Sequence, residues 1–264
     1  MTRTRDRASG IPSGTPASFA SDTLQPKIMP NELDLNADLG EGAGQDAELI
    51  PWLTSVNICC GAHAGSPEII RETLRLARDH RVVVGAHPGY PDQAHFGRRE
   101  RNDPPAVLEA ELRRQLDELN LLAAAEGVQV RYLKAHGALY NQAMRYRTVA
   151  ETLVRIAQEY RLPVLGLPGS ELEAAASGVI PFIPEGFADR RYLPDGRLVP
   201  RSAANAMLDD PEEVVAHVRA LMVRWQVRTV CFHGDHPGAV ARLRAVRLML
   251  EHQGISLRPF LPSA

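Results

Sequence analysis

The chain has few cysteines, no long apolar run and no large excess of charge of either sign. Its three cysteines, among 264 residues, form neither a zinc-ligand spacing nor a disulfide framework, so we expect a reducing, cytoplasmic location. No apolar run approaches the roughly 20 residues that span a bilayer, and no apolar signal core opens the chain, so we expect a soluble protein without a membrane partner. The formal net charge of -2 provides no basic field for nucleic acid, which we exclude as a partner.

The first 30 residues also lack any periodic apolar pattern. They are rich in Arg, Ser, Thr, Pro and Gly, and we predict a disordered tail over residues 1–30. A transit peptide is an alternative, although Asp6, Asp22 and the prolines argue against it, and a true start at Met29 is another. The remainder carries enough apolar material for one large core, so we predict a single catalytic domain over residues 31–264.

Six short apolar segments run directly into tight groups of polar residues. These segments are 33–42, 55–67, 82–92, 132–141, 181–192 and 229–238. Their alternation with amphipathic stretches predicts parallel strands joined by crossover helices, and the expected seven or eight strands favour an α/β barrel over an open sheet. Because the carboxyl ends of parallel strands meet at one end of a barrel, the polar groups indicate an active site there.

Helix and turn signals separate these segments. Ser66 followed by Pro67 predicts the start of a helix that reaches about His80, and Asp103-Pro104 predicts a longer helix that ends near Gly127. Further helices are expected at 148–160, 170–176, 210–225 and 237–253. Pro, Asp and Gly at 194–196 predict a small hairpin over residues 191–201 that covers the strand ends.

The acidic and histidine residues of the polar groups are candidates for proton transfer and metal binding. Asp38 and Glu41 follow the first strand beside two glycines, although capping of a turn would explain one such group. Five of the nine histidines fall in these groups, namely His63, His87, His136, His233 and His236. Imidazole and carboxylate suit divalent cations, so Asp38, His63 and His87 form a possible metal site.

Three positively charged side chains indicate an anionic ligand. Lys134 and His136 would share a face of an extended strand, and an inward lysine needs an anion, either a ligand or Asp38 or Glu185. Arg190 and Arg201 could clamp a carboxylate or phosphate, or lie exposed on the hairpin. The cysteines Cys60 and Cys231 are interpreted as packing groups.

The segment around His233 supplies the last candidates. Asp235 could orient a histidine as general base, or cap the following helix. We therefore predict as catalytic residues Asp38, His63, His87, Lys134, His136, His233 and Asp235. As residues that bind substrate or phosphate we predict Asn36, Glu41, Asn57, Asp189, Arg190 and Arg201.

Seven motifs in order resemble those of the LamB/YcsF family. They lie at 34–42, 85–89, 96–99, 136–141, 187–190, 198–201 and 233–235, and the resemblance covers the chain from Leu33 to about Gly254. It implies a βα barrel related to the glycoside hydrolase/deacetylase superfamily. Cys59, Ala62, Ser66 and Ala135 depart from the residues usual in the family, which affects the shape of the pocket more than the reaction.

The resemblance also implies an activity, namely the opening of 5-oxo-L-proline to L-glutamate while ATP becomes ADP and phosphate, together with two partners, the B and C subunits. On this interpretation Lys134 and Arg190 or Arg201 would steady phosphate and the substrate carboxylate. Asp38 with His63 or His87 would bind a metal or position water, and His136 or His233 would shuttle protons. Because the chain lacks a Gly-x-x-x-x-Gly-Lys-Ser/Thr loop, ATP binding is implied by the family alone, and a partner subunit is the alternative holder.

Two other functions remain open at this point. One is a metal-dependent, deacetylase-like hydrolase that needs no ATP, which the barrel and the Asp/His set favour. The other is a subunit without catalytic residues that only binds substrate or partners.

Overall fold

The computed structural model describes residues 31–194, 196–200, 203–234 and 238–261. The predicted tail at 1–30 lies outside the described residues. The predicted site residues Arg201 and Asp235 lie outside them as well, as does His236, the fifth histidine of the polar groups.

Eight strands and eight α-helices follow one another along the described ranges, in alternation except for two consecutive helices between the fourth and fifth strands. The strands are β1 Glu32–Leu39, β2 Ser55–Cys59, β3 Val83–His87, β4 Val130–Leu133, β5 Val164–Gly166, β6 Phe182–Phe187, β7 Thr229–Cys231 and β8 Ser256–Leu257. All neighbouring strands run parallel, in the order β2-β3-β4-β5-β6-β7-β1-β8, and β1 also pairs with β2. Strands β1 to β7 therefore close a barrel, while β8 extends the sheet beside the start of β1, and the predicted α/β barrel is confirmed.

The α-helices lie mostly where the sequence predicts them. They are α1 Asp46–Leu49, α2 Pro67–Asp79, α3 Pro105–Ala125, α4 Gly137–Arg145, α5 Arg147–Glu159, α6 Glu171–Ala176, α7 Pro211–Trp225 and α8 Ala239–His252. Ser66 caps α2 by accepting a hydrogen bond from the Ile69 N–H, as its sequence position predicts. The short helix α1 and the helix α4 have no counterpart in the prediction. None of the helices in the described ranges has the length and apolar character needed to cross a bilayer.

Successive side chains of strand β1 alternate between the apolar core outside the barrel and the barrel interior. Leu33, Leu35 and Ala37 are buried in the main apolar cluster of the protein. Asp34 and Asn36, which alternate with them, are equally buried but contact side chains of other strands across the barrel interior. The barrel interior is therefore polar along this strand, where barrels of this kind usually contain layers of branched apolar side chains.

A hairpin-like segment lies over the strand ends, as predicted. Tyr192 pairs with Leu198 and Arg190 pairs with Met207 in isolated antiparallel bridges. Leu198 and Val199 line the cavity beneath. The segment thus forms one wall of the cavity at the carboxyl ends of the strands.

Candidate active site

Lys134 lies just after β4 with its ammonium group inside the barrel. Its Nζ atom is 3.0 Å from Asp38 Oδ1, 2.9 Å from Glu185 Oε1 and 3.4 Å from Asn36 Oδ1. Three oxygens of the chain itself therefore face an ammonium group that has three donors. The geometry favours the ion-pair alternative for Lys134 over a direct role in holding phosphate.

The opposite charges in this interior cluster stabilise the ionised form of each other. Burial alone would lower the pKa of Lys134, but the Asp38 carboxylate holds it well above its usual range. Burial likewise works against ionised Asp38, yet the charges of His87 and Lys134 hold the pKa of Asp38 well below its usual range. Both groups are consequently charged at neutral pH.

Two asparagines complete the cluster beneath the cavity. Asn57 Nδ2 donates to Asp38 Oδ1 and to Asn36 Oδ1, each at 2.7 Å. Asn36 Nδ2 in turn donates to Thr229 Oγ1 at 2.7 Å and to Glu185 Oε1 at 3.2 Å. Both asparagines are fully buried and orient charged groups, which differs from the substrate contact predicted for them.

A second cluster brings three histidines and a carboxylate together at the ends of β1 to β4. Glu41 Oε1 lies 3.0 Å from His63 Nε2, 3.3 Å from His136 Nδ1 and 3.9 Å from His87 Nε2. The ligating atoms of these four residues all lie within 4.8 Å of one another. They form a group that could hold a metal ion, and it differs from the predicted set because Glu41 and His136 take part where Asp38 was expected.

The hydrogen bonds of two imidazoles show which ring nitrogen of each carries the lone pair. His87 Nδ1 lies 2.8 Å from the Lys134 carbonyl oxygen, and His136 Nε2 lies 2.9 Å from the Phe96 carbonyl oxygen. Both nitrogens must donate, so the opposite nitrogens, His87 Nε2 and His136 Nδ1, carry lone pairs in the neutral rings. These two atoms are only 3.0 Å apart. Two facing lone pairs repel, so the contact requires either a proton or a cation. Burial works against a charged His87, but the Asp38 carboxylate raises the pKa of His87 above its usual value, so a proton on His87 Nε2 satisfies the contact when no metal is bound. A metal ion can take the place of that proton, so the donor set also fits a metal.

The stacked rings of His63 and His136 are neutral at physiological pH. Burial, followed by the charge of His87, lowers the pKa of His63 to about 3. Burial and the neighbouring histidine charges lower the pKa of His136 to about 3. The two ring centroids are 3.7 Å apart, with an interplanar angle of 4°. Neutral imidazole is the form that binds metals, so burial prepares both rings for that role.

Glycines allow the surrounding loops to close on the stacked rings. A Cβ atom at Gly89 would lie 2.7 Å from His63 Nδ1, and one at Gly97 would lie 2.9 Å from His63 Cβ. Gly97 also has a φ angle of 62°, in the left-handed region that favours glycine. These two glycines belong to the 85–89 and 96–99 motifs. The backbone of both motifs passes so close to the histidines that these positions have no room for a side chain, which explains why glycine occupies them.

Asp189 and His233 form a pair just after the neighbouring strands β6 and β7. Asp189 Oδ1 is 2.7 Å from His233 Nδ1, and Asp189 Oδ2 accepts from the His233 backbone N–H at 2.9 Å. Burial would raise the pKa of Asp189, but attraction to His233 and the two hydrogen bonds lower it below its usual value. Asp189 is fully buried and does not line the cavity, unlike the substrate-binding role predicted for it.

A cavity of about 450 Å³ joins these groups at the carboxyl ends of the strands. Its lining includes Asp38, Glu41, His87, Lys134, His136 and His233. Arg190 also lines it, although its side chain is 6% exposed and donates to the Val199 carbonyl oxygen. The cavity has the size and mixed character of a site for a small molecule.

The cysteines are not nucleophiles in this arrangement. Burial raises the pKa of Cys59 to about 12, and it raises the pKa values of Cys60 and Cys231 well above their usual range. All three are free and buried. Because only the thiolate attacks, the packing role predicted for Cys60 and Cys231 fits this environment.

Sequence pattern and structure agree on which strand ends carry the site, and they differ on the partners. The predicted residues Asp38, Glu41, His63, His87, Lys134, His136 and His233 converge on the cavity or its immediate support. The prediction missed Glu185 as a site residue and considered it only as an ion-pair partner. Glu185 stands inward on β6, two residues before Phe187, and this alternation was the available signal.

Comparison with known proteins identifies relatives over most of the chain. Residues 33–264 match the model of the LamB/YcsF family. The A subunit of 5-oxoprolinase from Neisseria meningitidis serogroup C (strain 053442) is 43% identical over 241 residues, which are 86% of this chain and 98% of that protein. The corresponding A subunit from Symbiobacterium thermophilum is 40% identical over 247 residues, covering 86% of this chain and 94% of that protein.

A solved structure shares the fold over most of the chain. The crystal structure of a lactam utilization protein from Thermus thermophilus superposes with a TM-score of 0.80 at 37% identity. The alignment covers 87% of this chain and 100% of that chain.

Proposed function

The chain belongs to the LamB/YcsF family, and from that membership we propose that it is the A subunit of an ATP-dependent 5-oxoprolinase. Its reaction opens the lactam ring of 5-oxo-L-proline to give L-glutamate while ATP becomes ADP and phosphate. The observation that carries this proposal is the identity of 40–43% with proteins named as the A subunit of 5-oxoprolinase over nearly their full length.

The cavity suits a substrate of this size and polarity. Its volume of about 450 Å³ is at the lower end of small-molecule sites, and its charged groups converge from the ends of five strands. Lys134 and Asp38 keep each other charged, and this ion pair lines the bottom of the cavity. Arg190 lies at the wall under the hairpin, where its guanidinium can face the substrate carboxylate.

The four-residue histidine cluster is the proposed metal centre. Glu41, His63, His87 and His136 would hold a divalent ion of the Zn²⁺ type, because three imidazoles with one carboxylate suit such ions. When bound, the ion would supply Lewis-acid stabilisation of negative charge on the substrate. The chain's own part is to present the neutral rings of His63 and His136, with His87 and His136 oriented by backbone carbonyls.

The nucleotide is proposed to enter the reaction through the B and C partner subunits. The sequence contains no phosphate-binding loop of the Gly-x-x-x-x-Gly-Lys-Ser/Thr kind. Lys134, the candidate phosphate ligand, is occupied by Asp38, Glu185 and Asn36. A heteromeric complex in which a partner binds ATP accounts for both observations.

The metal cluster also favours a second function, a metal-dependent hydrolase that needs no ATP. Catalytic zinc sites with imidazole and carboxylate ligands hydrolyse amides without a nucleotide. The two functions differ in one requirement, which is ATP.

Glutamate release from 5-oxo-L-proline tests the proposal directly. The chain is assayed alone and with the B and C subunits, each with and without ATP, and the Neisseria meningitidis relative serves as the positive control. Glutamate that forms only with ATP and both partners supports the proposal. Release without ATP, abolished by a chelator, supports the second function, and no release in a mixture that is active with the control protein overturns the proposal.

Variants of the assembled complex test whether this chain carries the chemistry. His63→Ala and His136→Ala should each abolish glutamate release if the cluster takes part. Full activity in both would show that the chain only binds substrate or partners.

A further inference from the structure

Asp189 holds His233 through two hydrogen bonds that fix both the position and the tautomer of the imidazole. One carboxylate oxygen accepts from the backbone N–H of His233 and the other from its ring Nδ1, at 2.9 and 2.7 Å. The two residues are 44 positions apart and follow the neighbouring strands β6 and β7. A carboxylate only accepts hydrogen bonds, so it places the proton of the neutral ring on Nδ1.

The opposite ring atom then faces a different environment. With its proton on Nδ1, His233 carries its lone pair on Nε2. His233 lines the cavity, whereas Asp189 is fully buried behind it. Phe187 supports the ring from one face, with centroids 5.7 Å apart and an interplanar angle of 18°. The imidazole is therefore fixed on two sides, and its basic nitrogen is directed away from its carboxylate partner.

We propose that His233 Nε2 is the proton-transfer atom of the ring-opening step and that Asp189 is its positioning residue. This inference rests on the proposed function, and it reassigns Asp189 from substrate binding to the support of His233. It also gives the site two separate parts, since His233 is not a member of the histidine cluster formed by Glu41, His63, His87 and His136.

The step conserves atoms and charge as follows. In the complex, the lactam carbonyl oxygen first takes the γ-phosphoryl group of ATP and ADP leaves; hydrolysis of the acyl phosphate that remains after ring opening later releases that group as phosphate. In the ring-opening step itself, a water oxygen bonds to the activated carbonyl carbon, one water proton passes to His233 Nε2 and the other is released to solvent. The ring C–N bond then breaks, its electron pair stays on nitrogen, and the same proton passes from Nε2 to that nitrogen. Asp189 remains ionised throughout and stabilises the imidazolium that forms between the two transfers.

Histidine NMR on the wild-type chain provides the first test. In ¹⁵N-histidine protein at neutral pH, the signal missing from the His233→Gln variant is assigned to His233. We expect the neutral ring to carry its proton on Nδ1. A ring protonated on Nε2 instead would overturn the proposal, and this measurement needs neither substrate nor partner subunits.

Kinetics in the complete complex provide the second test. Asp189→Asn should lower kcat by about 10²- to 10⁴-fold with a much smaller effect on KM, since general acid–base groups contribute rate factors of this size. The double variant with His233→Gln should be no slower than His233→Gln alone, because Asp189 acts through His233. Asp79→Asn, which changes an exposed carboxylate on α2, is the matched control and should keep wild-type activity.

The outcomes separate this proposal from the proposed function. If the wild-type complex releases no glutamate while the control protein does, the proposed function fails. If the wild-type complex is active and Asp189→Asn retains its kcat, the positioning role fails alone. Should Asp189→Asn not fold, as circular dichroism would reveal, the wild-type tautomer still decides.

Discussion

Lys134 Nζ lies 2.9 Å from Glu185 Oε1 inside the barrel, and both side chains are almost completely shielded from solvent. Removal of one partner from a buried ion pair leaves an uncompensated charge, which costs more than the pair itself contributes. This relationship gives the first prediction.

Lys134→Met should lower the free energy of unfolding by about 3–5 kcal/mol, because Asp38 and Glu185 would both lose their cation. The double variant Lys134→Met with Glu185→Gln should lose less than the sum of the two single changes. Urea unfolding followed by circular dichroism measures all three. Strict additivity would show that the 2.9 Å contact contributes no coupling.

Divalent metal binding should depend on the four-residue histidine cluster. Purified wild-type chain incubated with Zn²⁺ and then desalted should retain a stoichiometric amount of metal. Glu41→Gln and His136→Gln should each reduce the affinity at least tenfold, since even the loss of an outer contact costs about 10- to 100-fold. His252→Gln is the matched control, because His252 is exposed in the last turn of α8 and is not one of the four cluster residues. Equal metal retention in all four proteins would contradict the proposed centre.

Asp34 should make stability fall as pH rises through the acidic range. Burial, partly offset by hydrogen bonds from Thr229, Thr54 and Ser55, raises its pKa from 3.8 to about 6. The folded state therefore keeps a proton that the unfolded chain releases, so the contribution is present below about pH 4 and lost as pH passes 6. The shift of about two units corresponds to about 3 kcal/mol.

The pH dependence can be isolated with Asp34→Asn. The difference in unfolding free energy between wild type and variant should move by about 2–2.5 kcal/mol against the wild type from pH 4 to 7, the rest of the effect lying below pH 4. A difference that stays constant over this range would contradict the raised pKa.

Gly97→Ala should disturb the site more than an equivalent change elsewhere. Gly97 and Gly169 both have positive φ angles, of 62° and 75°. A Cβ atom at Gly97 would lie 2.9 Å from His63 Cβ and 3.1 Å from His136 Cδ2, whereas one at Gly169 meets no described atom within 4 Å. We expect Gly97→Ala to cost about 1–3 kcal/mol more in unfolding free energy than Gly169→Ala, and to weaken metal binding as well. Equal effects of the two changes would show that the stacked rings tolerate the added methyl group.

The positions of the strands could be predicted because strand pattern and turn residues are local signals. Strand β2, Ser55–Cys59, begins where the predicted apolar segment 55–67 begins, and Ser66 caps the following helix as expected. Helix α4 was missed because residues 132–141 were described only as a strand that runs into a polar group, with no helix start among them. In the structure, Tyr140 and Gln142 are buried within that helix.

The partners of the site residues could be predicted less well than their positions. The alternation of side chains along a strand places Asn36 and Asp38 on one face of β1. Glu41 lies on the glycine-rich turn after the strand, and strand periodicity does not predict where a side chain on that turn points. The contact between Asp189 and His233 spans 44 residues and requires the closed barrel. Sequence pattern identifies which strand ends carry chemistry, and only the fold determines which side chain supports which.

The polar side chains that β1 directs into the barrel interior affect the order in which the chain can fold. Asp34 accepts hydrogen bonds from Thr54 on one side and from Thr229, 195 residues later, on the other. Asn36 is satisfied by Glu185 and Thr229, which are 149 and 193 residues away. The polar side chains of β1 therefore cannot be buried with all their hydrogen bonds formed until β6 and β7 have been synthesised. Contacts of such long sequence separation also form slowly. A nascent chain emerging from the ribosome must keep its amino-terminal strand hydrated or sheltered until nearly the last strand is synthesised.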